Sequence, residues 1–357
     1  MTIILASSES ELSDINRLLE KSVPTYRQAY SDRTAWIMAC LAELAYIRFN
    51  PLFSHEKQKD YFLENLSRLV DEKKKASITR LIDIVGYDHR DEEKRLRSEL
   101  GTLQMQLLAT FDSDGTQAIL VGFDKFIVLA FRGTEATSIK DIKADTRANT
   151  IVCETRGKIH AGFDEAFNNV RPDIEQELKK QGVREKPLFV TGHSLGGALA
   201  TIAAKKLEHG GGLAACYTFG SPRVGDEQWV EHIKTPIYRL VNAADCVTML
   251  PPGTETITVI SWLAEFIPWV GKSIRSVLLS NFGGYLHCGN MRYLTNCQSG
   301  PYTEVRLLYS VSILYRIKGL VIKKLPWKHF LIDHSIGVYR KKLKVIALDR
   351  NPGADKA

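Results

Sequence analysis

A chain of 357 residues with 44% hydrophobic content is long enough to bury a large core, so one sizeable domain carrying insertions is expected. Its six cysteines are too few and too scattered for a disulfide framework and are expected as thiols. No run of about 20 apolar residues occurs, which excludes an obvious spanning helix, and the formal charge of +7 is local: residues 301–357 hold twelve Lys or Arg against Glu304, Asp333, Asp349 and Asp355. That excess reads more simply as a solvated face than as a contact with anionic lipid, and nothing in it suggests a nucleic-acid partner.

The opening MTIILASSESEL lacks a basic stretch and breaks its apolar run at Ser7, so no cleaved secretory signal is expected. A cytoplasmic or membrane-peripheral location follows, with signal-less secretion left open. Residues 9–50 are expected to be helical, since Trp36, Ile37, Cys40, Leu41, Leu44, Ala45 and Ile47 recur at spacings of three and four, with Pro51 as the stop. Glu56 to Gly101 is charge-dense with intermittent apolar residues, the pattern of surface helices, and the acidic cluster around Asp88–Glu93 is expected to be solvated.

Beyond this point the period changes. Gln117–Gly122 and Phe126–Phe131 read as strands joined by a tight turn, and 162–182 as a helix closing at Gly182. A strand then runs into Ser194, a helix follows to about Leu207, and strands are expected at Ala214–Phe219 and Pro236–Asn242 with a short helix at Asp226–Ile233 between them. Strand and helix in alternation predict a mostly parallel sheet covered on both faces.

The stretch LFVTGHSLGGALA (188–200) carries the chemistry. Gly192-His193-Ser194-Leu195-Gly196 fits G-x-S-x-G, in which a sharp strand-to-helix turn projects the serine hydroxyl and a helix N-terminus offers amides to developing negative charge. A serine hydroxyl needs a base and an orienting carboxylate to act as a nucleophile, and in this topology they follow in the order acid, histidine. Asp245 sits just beyond the strand ending near Asn242; its competitor Asp226 stands where it would cap a helix starting at Glu227. Of His287, His329 and His334, the last lies after an apolar stretch and before a helical run, and is the expected base. No His, Cys and carboxylate cluster has zinc-like spacing, so neither metal nor organic cofactor is expected.

The strings FRGTEATSIKDIKADT, HAGFDEAF, TGHSLGGALA, YTFGSPRVGD, VNAADCVTMLPP and DHSIGVY, in this order, resemble the class 3 (fungal-type, Rhizomucor-like) lipase family of the α/β-hydrolase fold. The resemblance covers about residues 110–345. It implies Ser194 as nucleophile, Asp245 as acid, His334 as base, and the amides of Thr134 and Leu195 as oxyanion hole, with acylglycerols as substrates. It further implies a lid at Glu135–Thr150, here polar with Ile139 and Ile142 as its apolar anchors, and a structural part for His160. Four parts are expected within one domain: an N-terminal helical layer (1–109), a core with elbow and lid (110–253), an apolar cap insertion (254–286) and a C-terminal part with the histidine (287–357). In the insertion, Trp262, Phe266 and Trp269 fit either a membrane or acyl-chain contact near Lys272 and Arg275 or plain packing, and the sequence leaves both open. The apolar stretch Val305–Leu325 invites the same two readings. Phospholipase A1 action is the near alternative in function, and a non-catalytic lipase-like module the distant one.

Overall fold

The N-terminal apolar stripe folds as two helices, α1 (Glu9–Leu19) and α2 (Asp32–Leu44), where its spacing suggested one. The computed structural model, which describes residues 3–25, 29–47, 89–113, 115–133, 150–253, 257, 284–316 and 332–351, gives the reason. Pro24 lies between the two helices with no amide to donate, and each helix has its own serine cap: Ser8 Oγ accepts from Glu11 N at 3.2 Å and Ser31 Oγ from Thr34 N at 3.3 Å. Pro51 lies outside the described residues. Helix α2 buries Trp36, Ile37, Met38, Cys40 and Leu41, so it is an interior helix, apolar almost all round. The charge-dense region is described only in α3 (His89–Thr102), which buries Leu96 and Leu100 and pairs Arg97 Nε with Glu93 Oε1 at 2.8 Å on its outer side.

The strands follow. β1 (Gln106–Ser113), β2 (Thr116–Gly122) and β3 (Ile127–Phe131) form an antiparallel meander. A separate hairpin pairs β4 (Thr150–Val152) with β5 (Lys158–His160) and leads into α4 (Ala161–Leu178). Then come β6 (Leu188–His193), α5 (Leu195–Lys206), β7 (Leu213–Phe219), the short α6 (Glu227–Val230), β8 (Ile237–Asn242), β9 (Asn290–Leu294), the two-residue β10 (Leu307–Leu308) and α7 (Ile336–Asp349). The large sheet has the order β1-β2-β3-β6-β7-β8-β9-β10, parallel from β3 through β9. Strand β1 was not anticipated. It lies at the sheet edge with most of its residues at least partly exposed, so its sequence lacks the continuous apolar run of β6, where all six residues are buried.

Each face of the sheet has its own core. On one side Trp36, Tyr217, Leu240, Tyr339 and Leu343 join α2 and α7 to the strands; on the other Phe131, Phe167, Val190, Leu199 and Trp229 join α4, α5 and α6 to them. Helices on both faces of a largely parallel sheet make this a doubly wound α/β-hydrolase fold. The layer under α1 and α2 is shared with the C-terminus: the buried Arg340 pairs with Glu43 and donates to the carbonyls of Ile4 and Leu5 at 3.3 and 3.4 Å, while Arg350 Nη1 meets Asp32 Oδ2 at 2.8 Å.

All six cysteines are thiols, and among the described residues no helix is long and apolar enough to cross a membrane. The segment expected to act as a lid falls, apart from Thr150, outside the described residues, as do Trp262, Phe266, Trp269, Lys272 and Arg275 of the insertion and residues 317–325 of the later apolar stretch.

Candidate active site

Strand β6 delivers the chain to Ser194 in a conformation a serine rarely adopts, φ 57° and ψ −125°. Close packing leaves it no alternative. A Cβ on Gly192 would lie 2.1 Å from the Gly196 carbonyl oxygen, and one on Gly196 would lie 2.4 Å from the Phe131 carbonyl oxygen, so the strand, the turn and β3 touch at backbone distance. Ser194 N donates to the Phe219 carbonyl at 2.9 Å, and the Ser194 carbonyl accepts from Gly197 N at 2.9 Å to open α5. Leu195 is the first residue of that helix; its amide has no acceptor one turn back and stands at the positive end of the helix.

Three side chains from distant parts of the sequence meet here. Ser194 Oγ is 2.9 Å from His334 Nε2, and His334 Nδ1 is 2.9 Å from Asp245 Oδ2, with all three residues buried. A carboxylate only accepts, so Nδ1 carries the proton and Nε2 is left to accept from the serine hydroxyl. Asp245 stands just beyond β8, where its Oδ1 accepts from Val247 N at 3.0 Å and its Oδ2 also accepts from the Tyr339 hydroxyl at 2.6 Å. That hydroxyl in turn accepts from Asn242 N at 2.8 Å. Every carboxylate oxygen therefore has a donor that fixes its direction, the condition under which a buried charge is tolerated. Burial and the neighbouring Asp245 charge hold the Tyr339 hydroxyl pKa well above its ordinary value, so it stays a donor.

A second chain of hydrogen bonds runs behind the histidine. His193 Nε2 lies 2.5 Å from the His334 carbonyl and its Nδ1 lies 2.8 Å from the Tyr46 hydroxyl. The carbonyl can only accept, so Nε2 is protonated and the tyrosine donates to Nδ1. Burial, then the nearby His334, push the His193 pKa well below its ordinary value and keep the ring neutral. The same tyrosine crowds the turn after β3: a Cβ on Gly133 would lie 2.3 Å from both the Tyr46 hydroxyl and the His193 carbonyl. Thr134, the next residue and an expected oxyanion donor, lies outside the described residues.

The remaining candidates fall elsewhere. Asp226 caps α6, accepting from Trp229 N at 2.9 Å. His160 caps α4 and stacks on Phe163 with ring centroids 4.0 Å apart. His287 donates from Nε2 to the Thr248 carbonyl at 2.6 Å, on the far side of the loop that bears Asp245; burial and the adjacent Arg239 and Arg223 charges drive its pKa well down. His329 lies outside the described residues. Tyr46 and Tyr339 were missed from the sequence, because each is one aromatic among buried apolar neighbours and only the fold sets its hydroxyl against the site. Tyr339 offered a faint signal, five residues after His334 on the next helix.

A hydroxyl aligned on an imidazole that is backed by a carboxylate, beside helix-start amides, is an arrangement suited to acyl transfer. Residues 128–255 match the model of the family described as Lipase (class 3). The chain is 39% identical over 100 residues to secreted mono- and diacylglycerol lipase 1 of Fusarium solani, covering 26% of this chain and 30% of that protein. To the Rhizomucor miehei lipase it is 34% identical over 143 residues, or 36% of this chain and 39% of the relative. The chain thus spans between about a third and two fifths of the length of these two curated relatives. Among solved structures, the native Rhizomucor miehei lipase propeptide complex aligns with 66% of this chain and 70% of its own at 24% identity and a TM-score of 0.44. Over residues 128–255, the chain is similar to the class 3 lipase family.

Proposed function

We propose that this protein is a serine carboxylic ester hydrolase acting on acylglycerols. The observation that carries the reading is the buried line from Ser194 Oγ through the His334 ring to Asp245, two contacts of 2.9 Å each. In the proposed cycle Ser194 attacks the ester carbonyl while His334 Nε2 takes its proton, Asp245 steadies the imidazolium, and the same proton passes to the departing alcohol. Water, deprotonated by His334, then releases the acid from the acyl-enzyme. The Leu195 and Thr134 amides receive the oxyanion, each donor worth about 3 kcal/mol of barrier. We take the whole chain as one domain, with 1–109 and 287–357 supplying the helical layer and the histidine to the 110–253 core, and 254–286 inserted between them.

Acylglycerols are favoured as substrates because the relatives carry the names mono- and diacylglycerol lipase. Contact with a lipid surface is supported by the exposed side chains of Val152, Leu314 and Tyr315, the first of them 79% exposed. On location, six thiols suit a reducing compartment, while relatives named as secreted argue for export; fractionation of cells expressing the full chain separates the two. The substrate reading is tested by hydrolysis of p-nitrophenyl esters of rising chain length, emulsified mono-, di- and triacylglycerols, and defined phospholipids, with wild type and Ser194→Ala. Serine-dependent turnover of long-chain glycerides is expected. Turnover of phospholipid at the first acyl position in their place would make the protein a phospholipase A1, and turnover of none of these in folded protein would leave a binding module.

A further inference from the structure

The segment after β10 turns one charged side chain inward. It begins at Ser312, whose Oγ accepts from Tyr315 N at 3.2 Å and whose carbonyl accepts from Arg316 N at 3.2 Å. The single turn so formed presents its residues in two directions. Leu314 and Tyr315 are 60% and 50% exposed, while Arg316 is 4% exposed, and a guanidinium goes inside a protein only where an acceptor or an opposite charge meets it. Tyr315 steadies the turn from outside, meeting the buried Tyr293 of β9 edge-on with ring centroids 6.0 Å apart.

Arg316 meets both. Its Nη2 donates to the Thr248 hydroxyl. Burial lowers the pKa of its guanidinium, and Asp245 is the charge that most opposes this. The directions of the hydrogen bonds are fixed by chemistry. A guanidinium has no acceptor, so Thr248 Oγ1 accepts from it and donates its own proton to the Asp245 carbonyl at 3.0 Å. Asp245 is thereby tied at two places: its main-chain carbonyl through Thr248 to Arg316, and its carboxylate to Val247 N, Tyr339 and His334. The rest of the loop has other ties. Arg223 Nη1 donates to the Met249 and Pro251 carbonyls at 2.6 and 2.7 Å, and His287 Nε2 to the Thr248 carbonyl at 2.6 Å, so the loop backbone keeps these holds when Arg316 is changed.

We propose that Arg316 is a positioning residue for the reaction, acting through Thr248 to set the direction in which Asp245 meets His334. It touches no reacting atom. The Asp245 side chain has no exposed surface, and a hydrogen bond weakens steeply as its angle departs from linear. A turn of the Asp245 main chain therefore carries Oδ2 off the line of His334 Nδ1, and the Thr248 hydroxyl, held by Arg316, opposes that turn. Arg316 also brings a positive charge within reach of the buried carboxylate, and an opposite charge is what makes the burial of an ion tolerable. This inference rests on the hydrolase reading and adds to it the residue that holds the acid's main chain.

The test compares Arg316→Met, Arg316→Lys, Thr248→Val and the double variant Arg316→Met with Thr248→Val in the full chain. It reads kcat and KM on a soluble p-nitrophenyl ester, per active site titrated to completion with a fluorophosphonate. A merely structural role would lower the number of titratable sites and leave kcat per site alone. Arg316→Met is expected to lower kcat per site by about tenfold or more with KM little changed. Arg316→Lys keeps the charge and a donor and is expected to recover most of that loss. The double variant should lose little more than the worse single one, because both act on one link. Wild-type kcat per site in Arg316→Met, or a fully additive loss in the double variant, overturns the proposal and leaves the hydrolase reading standing; wild type without Ser194-dependent turnover overturns both. Should Arg316→Met fail to fold, Thr248→Val and Thr248→Ser decide: loss of kcat per site in the first and its recovery in the second, which keeps the hydroxyl, support the link, and equal values overturn it.

Discussion

Ser194 and the pair proposed as its acid and base, Asp245 and His334, reach the same point by opposite means. Ser194 is held by its immediate neighbours in sequence: two glycines whose missing Cβ atoms let the backbone of β3, β6 and α5 touch, and a left-handed φ imposed by that crowding. Asp245 and His334 are held by hydrogen bonds that join distant parts of the chain, from Tyr339 to Asp245 and from Asn242 to Tyr339 on one side, and among His334, His193 and Tyr46 on the other. The serine side is therefore stiff through sterics and the acid–base side through buried hydrogen bonds. Damage to the first should act on folding as well as turnover, whereas damage to the second should act on turnover in graded steps.

The largest effects test the pair together. Ser194→Ala is expected to lose activity by about 10⁶-fold, and His334→Ala by nearly as much, with unfolding temperatures close to wild type in both. His287→Ala should keep turnover within about tenfold and lose stability only, because its bond is to the Thr248 carbonyl; equal loss of turnover in both histidine variants would remove His334 as the base. Next in size is Gly192→Ala. Its new methyl would sit 2.1 Å from the Gly196 carbonyl oxygen, so the elbow must open, and a loss of several kcal/mol in stability or failure to fold is expected in urea unfolding. A stable, active Gly192→Ala enzyme would contradict the steric account of the serine side.

Tyr339→Phe probes the graded side. It removes one donor from Asp245 and an acceptor from Asn242 N, and a fall in kcat of about tenfold to a hundredfold with KM little changed is expected, equivalent to about 1–3 kcal/mol. Smallest is a pH effect through His193. Its folded pKa lies well below the ordinary 6.5, so between the two values the unfolded chain binds the extra proton and stability rises with pH. Acidifying from pH 7 through 6.5 should therefore destabilise wild type, by up to about 1.4 kcal/mol per pH unit from this ring. His287, depressed in the same direction, adds its own share. His193→Gln should flatten the profile by one ring's worth; an unchanged slope would mean that His193 is charged when folded.

This division also sets what can be read from the sequence. The elbow is legible because its requirements are local, with glycine two positions either side of a serine between an apolar strand and a helix. The parallel strands β3, β6, β7 and β8 are legible because burial on both faces makes them nearly continuous apolar runs, whereas β9, exposed at its start, gives no such run. Asp245 was proposed from its place after β8 and His334 from its place between an apolar stretch and a helix, and Asp226 could be set aside because a helix start explains it. Tyr46 and Tyr339 are not legible. Their roles exist only once β8, α2 and α7 are packed, and nothing in a local window distinguishes a tyrosine that donates to a buried carboxylate from one that fills a core. The two N-terminal helices read as one because an apolar stripe carries no mark of a break beyond Pro24 and the two capping serines. Edge strand β1 escaped because partial exposure removes the signal that betrayed its neighbours.

The central claim is that His334 and Asp245 activate Ser194, and covalent labelling with a fluorophosphonate followed by peptide mass spectrometry tests it most directly. Folded wild type is expected to carry one adduct, on Ser194, and His334→Ala to carry none over the same time. No adduct on folded wild type, an adduct on another residue, or equal labelling in the His334→Ala variant would contradict it.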